Sequence, residues 1–383
     1  MFTETRCHHA GAVLGACLLA ACGVGNAAEQ NPAGAPGTWA QHRDAVLKDA
    51  SLVRYYTFEQ VSDAATPIPS LKGEEAALRF VNAPADQFLV VEGRWPGKKA
   101  VRLDRGTLAA EPFEVSSKSF TVEAWFRTNG LGSLHGDAIP TGGTLFSAGI
   151  GYWDGWRVTL LYPDQTLGFE IGRPQPVNAV SVKAAEPVPD GVWHHLAATW
   201  DGKQMRLYVD GLLLVGGEYA GDYYPPRPGS QFRIGFAGFG WGSAVLDVDE
   251  VAVYSRALNA DEVLRNAYFE APLTEPLRTA FGAANQAFDA QDFGAAADSY
   301  GRLLKLPDVH PHLLGLARLR LAQCLRQQLK VREAVDQFVK VEESTDATDT
   351  QRRVALAQLL QLLRQGAGDS APPSLCERIL AMP

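Results

Sequence analysis

Three carboxylates crowd the segment LDVDEVAVY: Asp247, Asp249 and Glu250. Paired carboxylates are the usual means of cleaving a glycosidic bond, and they must stand about 5–10 Å apart across one groove. Alternate residues of a strand share a face, so Asp247 and Asp249 project together while Glu250 points the other way. The competing role of the trio is structural, within the strand that closes a domain. His194 and His195 follow Trp193 at a strand start and invite an acid–base or metal reading. Adjacent strand residues face opposite sides, however, and cannot act as one site unaided. A sandwich histidine with its hydrogen bonds satisfied is the simpler account. No Ser/His/Asp or Cys/His arrangement, zinc spacing or phosphate loop occurs.

Aromatic residues beside glycine offer a different chemistry. A sugar stacks its C–H face on an exposed ring while neighbouring polar groups take its hydroxyls. Three stretches could serve: Gly151–Trp156, with Tyr152, Trp153 and Trp156; Tyr219–Tyr224, with Tyr223 and Tyr224; and Phe236–Trp241, with Trp241. Their glycines suggest turns, where such rings stand exposed. Core or loop packing is the alternative for each.

The elements that must position these residues are strands. From about Ser51 to Tyr254, runs rich in Val, Phe, Tyr, Trp and Thr alternate with Gly, Pro and Asp turns at hairpin spacing. In Ser119–Thr128, Phe120, Val122, Ala124 and Phe126 fall on one face and Thr121, Glu123, Trp125 and Arg127 on the other. The segment WHHLAATWDGKQMRLYVDGLLL reads as strands joined through Asp201-Gly202 and Asp210-Gly211, a hairpin signal because the turn positions need positive φ. Leu246 and Val248 share one parity, Val251 and Val253 the other, which predicts a β-bulge near Asp249-Glu250. So many antiparallel strands without a helix between them imply a two-sheet sandwich. Asn259, with Glu262 three residues on, then starts a helix as a capping box, and Ala271–Pro276 marks a domain boundary.

Beyond Leu277 the period becomes helical. Two stretches, from Ala284 and from Ala322, match with Ala296 over Ala334 and Tyr300 over Phe338, an offset of 38 in both cases (334 − 296 and 338 − 300). Small residues at close contacts with an aromatic one turn later suit packed helix pairs. A last amphipathic helix is expected near Thr350–Arg364.

The N-terminal end reads as an export signal. Arg6, His8 and His9 precede an apolar run, Ala10–Ala21, too short to span a bilayer but of the length of a signal-peptide core. It ends at Leu19-Ala20-Ala21-Cys22, which resembles a bacterial lipobox; that resemblance implies acylation of Cys22. Ordinary cleavage after Ala27 or Ala28 is the alternative. Cys7, Cys17 and Cys22 lie in this segment, leaving Cys324 and Cys376, whose pairing spacing alone does not decide. The expected organisation is residues 1–22 signal, 23–45 flexible Pro/Gly-rich tether, 46–270 sandwich, 277–365 helical domain and 366–383 tail. A net charge of −8 without a Lys/Arg cluster argues against a nucleic-acid partner.

The order FTVEAW (Phe120–Trp125), then Trp193–Gly211, then DEVAVYSRAL (Asp249–Leu258) resembles the laminin-G-like family of concanavalin A-like jelly rolls. With the earlier YYTFEQ strand the resemblance covers roughly residues 51–268. It implies an all-β jelly-roll sandwich, on a fold that hosts lectins, adhesion modules and glycanases alike. The E-x-D-x-x-E string of laminarinase-type hydrolases is absent, and in this family the closing strand is structural. Some members hold Ca²⁺ at a sheet edge through carboxylate and backbone oxygens; by that resemblance Asp249, with Glu59, is the candidate ligand set. The helical part resembles tetratricopeptide repeats, with Asp292, Phe293 and Ala296 in place and Pro307 ending the unit. It departs from them in repeat length and in lacking the usual Trp and Gly of the first helix.

These expectations converge on a lipid-anchored cell-envelope binding protein. Its sandwich takes carbohydrate or protein and its helices dock a protein partner. A structural or assembly role is the second reading, glycan cleavage the third.

Overall fold

The computed structural model describes residues 37–366, apart from 74–75, 105, 112, 114–117, 132–141, 150–153, 162–163, 174–178, 222–223, 228–229, 236–243 and 272. Two units divide between residues 270 and 271. The first opens with helix α1 (Gly37–Leu47) and continues through fifteen strands: β1 (Leu52–Tyr56), β2 (Arg79–Val81), β3 (Phe88–Glu92), β4 (Lys99–Leu103), β5 (Thr107–Ala110), β6 (Phe120–Leu131), β7 (Gly142–Ala148), β8 (Trp156–Leu161), β9 (Thr166–Ile171), β10 (Val180–Pro187), β11 (His194–Trp200), β12 (Gln204–Val209), β13 (Leu212–Glu218), β14 (Phe232–Gly235) and β15 (Ala244–Tyr254). Helix α2 (Ala260–Ala267) follows.

The strands make two antiparallel sheets. One runs β13-β12-β11-β6-β15-β4-β3 with β1 added on β15, and the other runs β10-β9-β8-β7-β14-β5-β2. Their facing sides form the main core, to which β6 contributes Phe120, Val122, Ala124 and Phe126. The strand alternation written in the sequence is therefore the alternation of the fold, a two-sheet jelly-roll sandwich. The bulge also falls where the parity changes. Asp249 pairs with Trp125 and Ala252 with Glu123, so β15 carries one extra residue, and Glu250 absorbs it at φ +51°. Val251 and Val253 thereby reach the same core as Leu246 and Val248. At the β12–β13 turn Asp210 and Gly211 both have positive φ, +51° and +75°. The Asp201-Gly202 turn is built otherwise: only Gly202 has positive φ, +90°, and Asp201 Oδ1 accepts from the N–H groups of Lys203 and Gln204 at 2.9 and 2.7 Å.

The eight-stranded sheet has a second buried side. Val46 of α1 and Val263 of α2 pack with Tyr55, Ala197, Tyr208, Ala252 and Tyr254. Beside them Trp95, Trp125 and Trp193 cluster with partly buried Trp39 and Phe269. Helix α1 corrects one expectation, since residues 37–45 of the supposed tether are helical. Trp39, Val46 and Leu47 give this stretch large apolar side chains to lay on the sheet. Asn259 and Glu262 close the expected capping box on α2.

The second unit holds α3 (Glu275–Asp289), α4 (Phe293–Leu303), α5 (Pro311–Gln327), α6 (Val331–Glu342) and α7 (Asp349–Arg364). Consecutive helices pack on one another. The 38-residue offset extends to the helix boundaries, since α3 and α5 end 38 residues apart and so do the starts of α4 and α6. Ala296, Ala334, Tyr300 and Phe338 are all buried, and the Tyr300 hydroxyl donates to Asn285 Oδ1 at 2.5 Å. Thr348 caps α7, and Gln351 Nε2 ties that helix start to the His312 carbonyl at 2.6 Å.

The offset also aligns two turn residues in the left-handed region, Gln291 and Leu329, each at φ +60°. Leu329 is 84% exposed, so it carries the steric cost of that conformation with no packing to offset it. Leu329→Gly is expected to stabilise the helical unit by about 0.5–1 kcal/mol, read as a rise in the midpoint of the 222 nm helical signal on urea unfolding. An unchanged midpoint would show that the turn is not strained.

Candidate functional site

The residues singled out as possible catalysts lie on the outward side of the eight-stranded sheet, beneath α1 and α2, and each is engaged within the protein. Asp247 receives Arg102 Nε at 2.6 Å and Arg127 Nε at 2.8 Å. Asp249 accepts from the Lys98 ammonium, from the Arg94 N–H at 3.1 Å and from the Glu250 N–H at 2.9 Å. Glu250 faces the same ammonium at 2.7 Å and accepts from the Tyr55 hydroxyl. Lys98 itself also donates to the Thr57 carbonyl at 2.6 Å. All three carboxylates are buried, so none stands in a groove. This is the geometry of a pinned strand and not of an acid–base pair.

The calcium pair fares similarly. Glu59 is exposed, with Arg43 at 3.8 Å, while the Asp249 carboxylate is surrounded by N–H donors. Ca²⁺ takes six to eight oxygen ligands, so a site here would need backbone oxygens beside these two side chains. Among the described residues no group of three or more His, Cys, Asp or Glu side chains could hold a metal ion.

The two histidines part as adjacent strand residues must. His194 turns toward the core, with Nδ1 at 2.8 Å from Asp210 Oδ2 and Nε2 at 3.2 Å from the Pro189 carbonyl. His195 faces outward, edge-on to Trp125 at 5.3 Å. Its Nε2 lies 3.7 Å from Glu123 Oε1, too far for a hydrogen bond. Burial pushes the Glu123 carboxyl up to about 8 and the His195 imidazole down to about 4, so both are neutral near pH 6. Asn266 Nδ2 reaches Glu123 at 2.9 Å.

This dry layer sets a pH dependence. Between about 4.5 and 8 the folded chain keeps a proton on Glu123 that the unfolded chain has lost, so raising the pH through that window removes stability. His195 acts in the opposite sense between about 4 and 6.5, where the unfolded chain binds the extra proton. Above 6.5 the carboxyl acts without it, and Asp249, raised by burial to about 7, adds in the same direction. Glu123 alone should therefore lower stability by up to about 1.4 kcal/mol per pH unit between pH 6.5 and 8. Glu123→Gln should flatten that slope in urea titrations at each pH. An equal slope in wild type and variant would remove Glu123 as its source.

The aromatic candidates separate as well. Trp156 lies in the sandwich core, fully buried between Phe120 at 5.5 Å and Phe232 at 6.2 Å. It is not a surface platform: as the first residue of β8 its parity points inward with Val158 and Leu160. Tyr224 is 42% exposed, and its carbonyl accepts from the Gly155 N–H at 2.7 Å. Tyr152, Trp153, Tyr223 and Trp241 lie outside the described residues, as do Cys22 and Cys376. Cys324 is buried in α5, its thiol pushed up to about 12 by burial.

The outward side of the seven-stranded sheet carries what residue spacing had not singled out. The registers of six strand pairs align one row across all seven strands: Arg79 on β2, Ala109 on β5, Arg233 on β14, Ser147 on β7, Arg157 on β8, Glu170 on β9 and Ser181 on β10. A second row sets Thr144, Thr159, Gly168 and Lys183 side by side. Arg157 Nε donates to Glu170 Oε2 at 2.7 Å. Among the described residues the hydroxyls of Ser147, Thr159 and Thr166 and the Arg233 Nε meet no partner, though those three residues are only 1%, 2% and 3% exposed. Arg79, Ser181 and Lys183 at the ends are exposed while Ser147 and Thr159 are buried, so the middle of the face lies deeper than its margins. Gly168 lets Thr159 pack close, because a Cβ there would sit 2.8 Å from Thr159 Oγ1.

A two-sheet sandwich with one side roofed by helices and the other lined by polar side chains defines the class. The family model for the concanavalin A-like lectin/glucanases superfamily, laminin-G type, matches residues 104–264, about two fifths of the chain. This segment is thus a concanavalin A-like jelly roll. No curated protein matches the chain. Among solved structures it is similar to domain 4 of AbnA, a GH43 extracellular arabinanase from Geobacillus stearothermophilus, in complex with arabinotriose, at 19% identity and TM-score 0.43, covering 57% of this chain and 100% of that one. It is also similar to the binding domain of Paraclostridial Mosquitocidal Protein 1, at 18% identity and TM-score 0.45, covering 58% of this chain and 53% of that one. A third is the binding domain of botulinum neurotoxin DC in complex with SialylT, at 12% identity and TM-score 0.42, covering 58% and 52%. This chain thus spans about half the length of the two toxin-domain structures.

Proposed function

We propose that the protein is an envelope-anchored binding protein whose jelly roll takes a carbohydrate or a protein ligand without cleaving it. The observation that carries this reading is the contrast between the two outward sheet faces. Asp247, Asp249 and Glu250 on the eight-stranded sheet are each tied to a cation, and Glu250 also to the Tyr55 hydroxyl. The outward side of the seven-stranded sheet carries the buried hydroxyls of Ser147, Thr159 and Thr166, which meet no partner among the described residues, and a buried polar group costs free energy until something hydrogen-bonds it. A hydroxyl-rich ligand would supply those bonds.

The test is a glycan array probed with the full chain, followed by reducing-end release from each polysaccharide bound. Saturable retention without release supports the proposal. Sustained turnover of any polysaccharide overturns it. We further propose that Cys22 is lipidated and that the helical array, tetratricopeptide-like in its 38-residue offset, docks a protein partner. Cys22→Ala should move the protein from the membrane pellet to the soluble fraction; equal partition of the two forms would exclude the anchor.

A further inference from the structure

We infer that the outward face of the seven-stranded sheet binds an extended acidic oligosaccharide lying across the strands. The inference rests on the sandwich being a binding module, and it names the ligand class and the residues that read it. Along the cross-strand row, guanidinium groups recur on alternate strands, Arg79 on β2, Arg233 on β14 and Arg157 on β8, with Ala109 and Ser147 between them. Neighbouring strands lie about 4.8 Å apart, so the cations repeat at about 10 Å. Lys183 adds a fourth at the β10 margin, against Glu170 as the carboxylate of the same face. This local excess of positive charge stands on a chain whose net charge is −8.

Two features select a sugar over other polyanions. Planar guanidinium groups grip carboxylate or sulfate oxygens in bidentate fashion, and their spacing suits a chain that is charged at intervals. Between them the unpartnered hydroxyls of Ser147, Thr159 and Thr166 ask for a ligand that carries hydroxyls of its own. An acidic peptide or a nucleic acid strand supplies the charge but not that density of hydroxyls.

The experiment titrates the full chain with three fluorescently labelled probes: an oligogalacturonate, which carries carboxylates alone; a chondroitin sulfate oligosaccharide, which carries both carboxylates and sulfate esters; and neutral xylohexaose. One acidic probe should bind saturably and at least tenfold tighter than the neutral one, and the stronger of the two identifies the preferred anion. Binding should weaken at least tenfold in Arg233→Gln and severalfold when salt rises from about 50 to 300 mM, as screening demands. Should Arg233→Gln fail to fold, the double variant of the exposed margin, Arg79→Gln with Lys183→Gln, should still show a severalfold loss with a native melting curve. Acidic probes that bind no tighter than xylohexaose, or variants that bind like the wild type, overturn the inference. So does equal competition by polyglutamate or an oligonucleotide. Neutral sugar bound alone, or no sugar bound at all, removes this face as an acidic-sugar site and leaves standing the binding module, which also covers a protein ligand.

Discussion

Replacing Lys98 by methionine is expected to lower the stability of the sandwich by about 3–5 kcal/mol, the usual cost of leaving a buried ion pair with one partner. The substitution keeps most of the side chain's stem and its volume beside Trp39, over whose ring the ammonium lies at 5.1 Å. What it removes is one positive charge that faces Asp249 and Glu250 together and donates to the Thr57 carbonyl. Asp249 then keeps the Arg94 and Glu250 N–H groups and Glu250 the Tyr55 hydroxyl, but the cation that balanced both buried carboxylates is gone. Lys340 and Asp336 form an exposed pair one helical turn apart on α6, and Lys340→Met there should cost no more than about 0.5 kcal/mol. All eight tryptophans of the chain fall between residues 39 and 241, so fluorescence-monitored urea unfolding follows the sandwich and not the helices. The penalty should shrink as the pH is lowered, because protonation of Asp249, whose carboxyl burial raises to about 7, relieves part of the uncompensated charge. A cost below about 1 kcal/mol at pH 7.5 would mean that water reaches the pair, and the pinned-strand account of Asp249 and Glu250 would then fail.

The strand pattern of the sandwich was legible because one parity of each strand had to be apolar. Phe120 to Phe126, the parity change at Asp249-Glu250 and the capping box at Asn259 all needed only neighbours in the chain. The helical offset was legible for the same reason, since a repeat is compared with itself. What could not be read was any burial imposed from far away. Thr121, Glu123 and Trp125 have the alternation of a solvent-facing edge, yet they are buried, because α1 and α2 from the two ends of the unit close over them. The polar row was hidden for a related reason. Each of its residues is a single unremarkable side chain on its own strand, and β14 sits between β5 and β7, strands far from it in sequence. Only the register of the folded sheet sets Arg233 between Ala109 and Ser147.

Trp156→Ala should cost the sandwich about 3–5 kcal/mol, as large-to-small changes at fully buried aromatic sites do. Its ring is stacked against Phe120 at an interplanar angle of 25° and tilted against Phe232 at 55°, between two sheets whose side chains have little room to collapse into the gap. Trp156→Phe is the informative companion. The indole N–H has no acceptor among the described residues, so the smaller ring forfeits packing but also removes a buried donor, and the loss should stay below about 1.5 kcal/mol. Tyr224→Ala, at a 42% exposed ring, should change stability by no more than about 0.5 kcal/mol. The three variants therefore separate a core role from a surface one using the same fluorescence-monitored unfolding curves. If Trp156→Ala were as mild as Tyr224→Ala, the ring would have to be solvent-facing, and the glycine-flanked turn before β8 would regain its claim to be a sugar platform.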